Sequence, residues 1–181
     1  ETELRVQDNF EIDILSDEER MELLKVYVAL QETQKALQIA PRVTPKTPAD
    51  LLILANLYTQ QKDKARAKQY YKTVEAQYVQ QLNNAKNPQQ KKESLRALAQ
   101  LYRSLEEFDK YLSTVKQLIG LDQTDPELLK DGRDVALHLW RQEKTDKQKQ
   151  QDVLLLADLT GDQALIIDFL IWIKIPHTYA N

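Results

Sequence analysis

His138 and His177 are the only imidazoles in the chain, and cysteine is absent, so any nucleophilic, acid–base or metal chemistry would have to begin with these two rings. Neither has the company such chemistry needs. His138 lies in the apolar run ALHLW with no HExxH partner, which predicts a partly buried or helix-face histidine, and His177 follows Pro176 and reads as solvated. The acid pairs Glu18/Glu19 and Glu106/Glu107 are adjacent in sequence. On a helix adjacent residues point apart, so the pairs fit first-turn charges facing the helix dipole better than a converging acid and base. Gly120, Gly132 and Gly161 stand 12 and 29 residues apart, which excludes a glycine-rich phosphate cradle. The expectation is a protein that is no enzyme and takes no cofactor, metal or nucleotide.

Charge offers a second kind of chemistry. The formal net charge is only -3, but residues 1–32 carry ten acids against three bases, whereas residues 61–92 carry eight bases against two acids. Within the basic stretch Lys64, Lys68 and Lys72 recur every fourth residue, forming one stripe on a helix beside Tyr70 and Tyr71. Such a stripe usually serves solubility. Its alternative use is charge-driven binding of an acidic polymer, RNA or polysaccharide.

The elements that must carry these groups read as helices throughout. Glycine and proline are scarce, Leu, Ala, Gln, Lys and Glu are abundant, and no stretch shows sustained apolar–polar alternation with β-branched enrichment. Residues 1–15 are an ambiguous lead segment. Ser16 with Glu19 predicts a capping box opening a helix, and a second helix runs to Pro41. The segment PRVTPKTP is a connector. Thr47 before Pro48, Asp125 before Pro126, and Asn87 before Pro88 mark later boundaries. The resulting hairpins span about 16–43, 47–85, 89–121 and 126–159, with a terminal helix at 162–175.

The hairpins repeat. LLILANLY (51–58) matches LRALAQLY (95–102) at Leu51/Leu95, Leu54/Leu98, Ala55/Ala99 and Tyr58/Tyr102, which define one helical face. Ala67, Tyr71 and Val74 supply a complementary face on the following helix. This pattern resembles the tetratricopeptide repeat, with large-x-x-Leu-small-x-x-Tyr on the first helix and a small residue followed by an aromatic on the second. An earlier copy keeps Leu23, Tyr27 and Ala36. A later one, at 92–121, has Tyr111 where the family has alanine. Tyr27, Tyr58 and Tyr102 are separated by 31 and then 44 residues, which predicts a lengthened second helix or an insertion near 83–88.

The resemblance implies an α-α superhelix whose first helices line a groove that docks another protein or peptide. Carried over residue by residue, the groove positions include Lys25, Asn56, Thr59, Arg96, Gln100 and Arg103, together with Met21. Arg96 and Arg103 lie two turns apart on one helix face, and with Asn56 and Gln100 they would fork onto a carboxylate or an extended peptide. Met21 and Lys25 stand where the family's carboxylate clamp has Lys and Asn, so a chaperone-tail clamp is not expected. Cysteine-free, glutamine-rich hairpins of this kind are similar to the periplasmic repeat arms of bacterial exopolysaccharide export or secretion machinery.

The last predicted helix, ALIIDFLIWIKI, is apolar at ten of twelve positions and too short to span a bilayer. A terminal repeat should show water a polar face. A helix this apolar must be buried on several sides: further repeats of a longer chain would cover Phe169 and Trp172 on an assembly face, or a second copy would, or the helix folds back into an internal core, and the first of these is the expectation. Starting at Glu1 without an apolar leader, the chain reads as a piece of a larger protein.

Overall fold

The computed structural model describes residues 12–121 and 125–174, and among these every regular element is helical. Residues 12–14 form a single helical turn. There follow α1 (Asp17–Ala29), α2 (Thr33–Ile39), a 3-10 turn (Ala40–Arg42), α3 (Pro48–Gln60), α4 (Lys64–Asn83), α5 (Pro88–Ser104), α6 (Phe108–Leu121), α7 (Pro126–Gln142), α8 (Lys147–Leu159) and α9 (Gln163–Lys174). The chain divides into two compact units, Glu1–Gln80 and Gln81–Asn181.

Local chemistry sets the boundaries. Ser16 and Glu19 close the expected capping box on α1, and Thr47 and Asp50 close a second on α3 behind Pro48. Asn87 Oδ1 accepts from the Gln90 amide and Asp125 Oδ1 from the Leu128 amide, starting α5 and α7 at Pro88 and Pro126. Three hairpin turns are the same turn. The carbonyls of Tyr27, Tyr58 and Tyr102 each accept from the amide five residues on, at 2.9 Å, and the residue four after each tyrosine (Gln31, Lys62, Glu106) has φ near +60°. This is a Schellman closure, in which a left-handed residue satisfies the last carbonyls of the helix. A fourth copy joins α8 to α9, where Gly161 takes the left-handed position at φ 69° without a Cβ penalty.

In the 1–80 unit, α1, α2 and α3 close around Leu24, Ala36, Ile39, Leu54, Leu57 and Ala67. Tyr71 ties α4 to α3 by donating to Asn56 Oδ1 at 2.7 Å, and Tyr70 stacks on Tyr58 at 5.7 Å. Arg20 fastens the N-terminal turn, its guanidinium donating to the carbonyls of Ile12 and Asp13. Met21, expected in a groove, is 5% exposed and belongs to this core. The long spacing between Tyr58 and Tyr102 is taken up by α4, which has 20 residues against 13 in α3.

In the 81–181 unit, Leu95, Leu98, Ala99 and Tyr102 of α5 are buried, as are Val115 and Leu118 of α6, Val135, Ala136 and Leu139 of α7, and Val153 and Leu156 of α8. Truncating a leucine in such a core costs about 2–5 kcal/mol. Gly132 lets α7 come close: a Cβ there would stand 3.0 Å from Val115 Cγ1 and 3.7 Å from Leu156 Cδ2. At the end of the unit, Trp140 meets Phe169 at 4.4 Å and Trp172 at 4.7 Å between ring centroids.

The rings of the terminal helix follow the fold-back alternative and do not form the expected assembly face. Phe169 is 3% exposed and Trp172 half-buried, because Trp140 of α7 reaches across and claims both rings. The exposed large apolar residues of α9 are Ile167, Leu170 and Ile171.

Candidate functional site

An open cleft of about 440 Å³ lies in the 81–181 unit, walled by α5 and the first turns of α7 and floored by Tyr111 of α6. The amphipathic pattern of α5 builds one wall. Burying Leu95, Leu98, Ala99 and Tyr102 turns Arg96, Gln100 and Arg103 outward onto its exposed side. The opposite wall carries Asp125, Leu128 and Asp131.

Both arginines are already answered. Arg96 Nη2 donates to Asp125 Oδ2 at 3.0 Å, while the other oxygen of the same carboxylate caps α7. Arg103 forks onto Asp131, Nε to Oδ2 and Nη2 to Oδ1, both at 3.1 Å, and its guanidinium lies over the rings of Phe108 and Tyr111. The Tyr111 hydroxyl donates to Asp131 Oδ2 at 2.5 Å. Burial, then the Asp131 carboxylate, push the Tyr111 phenol well above its ordinary value, so it remains a donor.

This arrangement changes what the cleft can hold. An incoming carboxylate would have to displace Asp125 or Asp131, so the two arginines do not form an open anion fork. With Glu127, the lining carries three acids against two bases. What remains to meet a ligand is the exposed Gln100 amide between Ala99 and Leu128, a combination suited to a peptide backbone and small apolar side chains.

The other expected groove residues lie in the 1–80 unit. Lys25 is held by Glu22 Oε1 at 2.8 Å and Asp50 Oδ1 at 3.1 Å, and these hydrogen bonds raise its pKa. The Asn56 amide oxygen and the Thr59 hydroxyl both face the Tyr71 hydroxyl, at 2.7 and 3.4 Å. Lys64, Lys68 and Lys72 are all exposed on α4, and none forms an ion pair among the described residues. His138 is exposed on α7, edge-on to Phe108 and within 3.1 Å of the Gln142 side-chain amide, so its helix-face reading stands and its partly buried one does not. Glu19 caps α1, Glu18 pairs with Lys46 at 2.6 Å, and Glu107 pairs with Lys110 at 2.7 Å. His177 lies outside the described residues. Among the described residues no three metal-ligating side chains cluster, and no helix is long and apolar enough to cross a membrane.

The acids that answer the arginines are a feature of the cleft that the sequence reading missed. Arg96, Asp125 and Leu128 recur as Arg133, Asp162 and Leu165, all shifted by 37 positions. The geometry recurs with them: Arg133 Nη1 donates to Asp162 Oδ2 at 2.8 Å while Asp162 Oδ1 accepts the Leu165 amide. Each guanidinium bridges 29 residues to the cap of the next hairpin's first helix. The signal lay in GRDVALHL, where Arg133 and Ala136 match Arg96 and Ala99 although Gly132 replaces Leu95. No protein-family profile matches the chain, and comparison with curated proteins returns no significant match.

Proposed function

We propose that this chain is a non-enzymatic docking module of tetratricopeptide-like hairpins, and that it seats an extended segment of another protein in the cleft between α5 and α7. The carrying observation is the open cleft itself, walled by the first helices of two successive hairpins and presenting Gln100 between apolar Ala99 and Leu128. The identical Schellman turns after Tyr27, Tyr58 and Tyr102 and the repeated arginine-to-cap bridge support the repeat reading. Because the arginines are held by Asp125 and Asp131, the fitting ligand is neutral or cationic along its length.

Selection from a displayed library of random peptides on the immobilised chain tests this. Enriched peptides should bind at least about tenfold less to Gln100→Trp, which fills the cleft from an exposed position, a loss of about 1.4 kcal/mol. Failure to enrich any peptide, or equal binding to Gln100→Trp, overturns the proposal.

One observation favours a second reading, binding of RNA or an acidic polysaccharide: the three lysines of α4 are exposed and carry no partner acid among the described residues. Such binding would fall steeply between about 50 and 200 mM salt and would be lost in Lys64→Glu/Lys68→Glu/Lys72→Glu.

A further inference from the structure

Ion pairs cross the cleft between α5 and α7: Arg96 with Asp125 and, two helical turns along α5, Arg103 with Asp131. Each pair is closed further from within, since Asp125 also caps α7 and Asp131 also accepts the Tyr111 hydroxyl. Between the pairs, in helix order, stand Gln100 on α5 and Glu127 and Leu128 on α7. Glu127 is the one charged residue of the lining left over. It is exposed, and its carboxylate has neither an ion pair nor a hydrogen bond among the described residues. Its place in the first turn of α7 suits the helix dipole but supplies no cation.

We infer that Glu127 selects the ligand: the extended segment seated in the cleft carries a lysine or arginine whose charged head meets the Glu127 carboxylate, while its methylene stem lies on Leu128. This selectivity rests on the docking role proposed above and narrows its ligand from neutral or cationic to cationic at one position. The alternatives each cost something. An acidic side chain would face an unanswered carboxylate, and a neutral one would desolvate that carboxylate without a partner. A long basic side chain does both jobs, covering aliphatic surface with its stem and reaching the charge with its head. Among the described residues the acids of the lining are not grouped closely enough to hold a metal ion, so the cation is a side chain. Because Glu127 faces water until the ligand arrives, the pair is worth a factor of about three to five at low salt and less at high salt.

Selection of displayed random peptides on the whole chain, run in parallel on wild type, Glu127→Gln and Asp158→Asn, tests this. Peptides enriched on wild type should hold lysine or arginine at one aligned position. On Glu127→Gln peptides should still enrich but without that preference. It should persist on Asp158→Asn, which removes the same charge from an exposed site of α8 outside the cleft. A synthetic enriched peptide with norleucine in place of the basic residue should bind wild type about three- to fivefold more weakly than its parent in about 50 mM NaCl, and the two should bind Glu127→Gln equally. Enriched peptides without a basic position, a preference that survives Glu127→Gln, or one lost equally on Asp158→Asn would overturn the selectivity and leave the docking role standing. Failure to enrich any peptide on any of the three chains would overturn the docking role, and the selectivity with it.

Discussion

Removing the bridge between Arg133 and Asp162 should uncouple the last helix from the hairpin before it. The pair is 2.8 Å apart, with side chains 18% and 29% exposed. At that distance the Coulomb attraction is about 1.5 kcal/mol in water and about 6 kcal/mol at an effective dielectric constant of 20. Desolvation of the guanidinium, ordering of its stem and its competing bonds to Asp134 Oδ1 at 2.8 and 3.0 Å take back most of the larger figure. A coupling of about 1 kcal/mol should remain. Arg96 and Asp125 are 3.0 Å apart but 46% and 34% exposed, so their coupling should stay below about 0.5 kcal/mol. A double-mutant cycle with Arg133→Met, which keeps the apolar stem, and Asp162→Asn, which keeps the cap oxygen, isolates the charge interaction. Urea unfolding followed by tryptophan emission is the assay, since both tryptophans, Trp140 and Trp172, meet at this joint. A coupling no larger than that of Arg96 with Asp125, or one undiminished in 1 M NaCl, would refute the reasoning.

Three further outcomes follow from backbone, packing and titration. Gly132→Leu should lose about 1–3 kcal/mol in thermal or urea melts because its side chain collides with Val115 and Leu156, whereas Gly120→Ala, with nothing within 4 Å, should gain about 0.5–1 kcal/mol. Glu106→Gly should raise the melting temperature by relieving a left-handed residue at φ 58°, a gain of about 0.5–1 kcal/mol. Asp50 is buried, which raises its pKa, but hydrogen bonds with Thr47 and Lys25 outweigh burial and hold the carboxyl below its ordinary 3.8. Its contribution is therefore complete above that value and lost as pH falls through the lowered one. Wild type should exceed Asp50→Asn by about 1–3 kcal/mol at neutral pH, and their melts should converge near pH 2.

Helix boundaries were legible because their causes are local. Ser16 with Glu19, Thr47 with Pro48 and Asp125 with Pro126 cap their own helices, and the repeated Leu, Ala and Tyr positions mark the buried faces of α3 and α5. What the sequence hid depends on partners far along the chain. An apolar helix such as α9 has no polar face to orient it, and the side that buries Phe169 is chosen by Trp140, 29 residues earlier. Arg96 and Arg103 were readable as a pair on one face. That Asp125 and Asp131 would neutralise them depends on how α7 lies along α5, which no residue of α5 specifies. Met21 went into the core for the same reason: α1 packs against α2 and α3, and that contact decides which side of it is buried.

The central claim is that a ligand sits in the cleft between α5 and α7. Amide chemical-shift mapping of the labelled chain, titrated with a library-selected peptide, tests that most directly. Shifts concentrated at Arg96, Gln100, Arg103, Tyr111, Leu128 and Asp131 are the predicted result. Shifts confined to Lys64–Lys72 of α4 or to Ile167–Ile171 of α9, with the cleft amides unmoved, would contradict it.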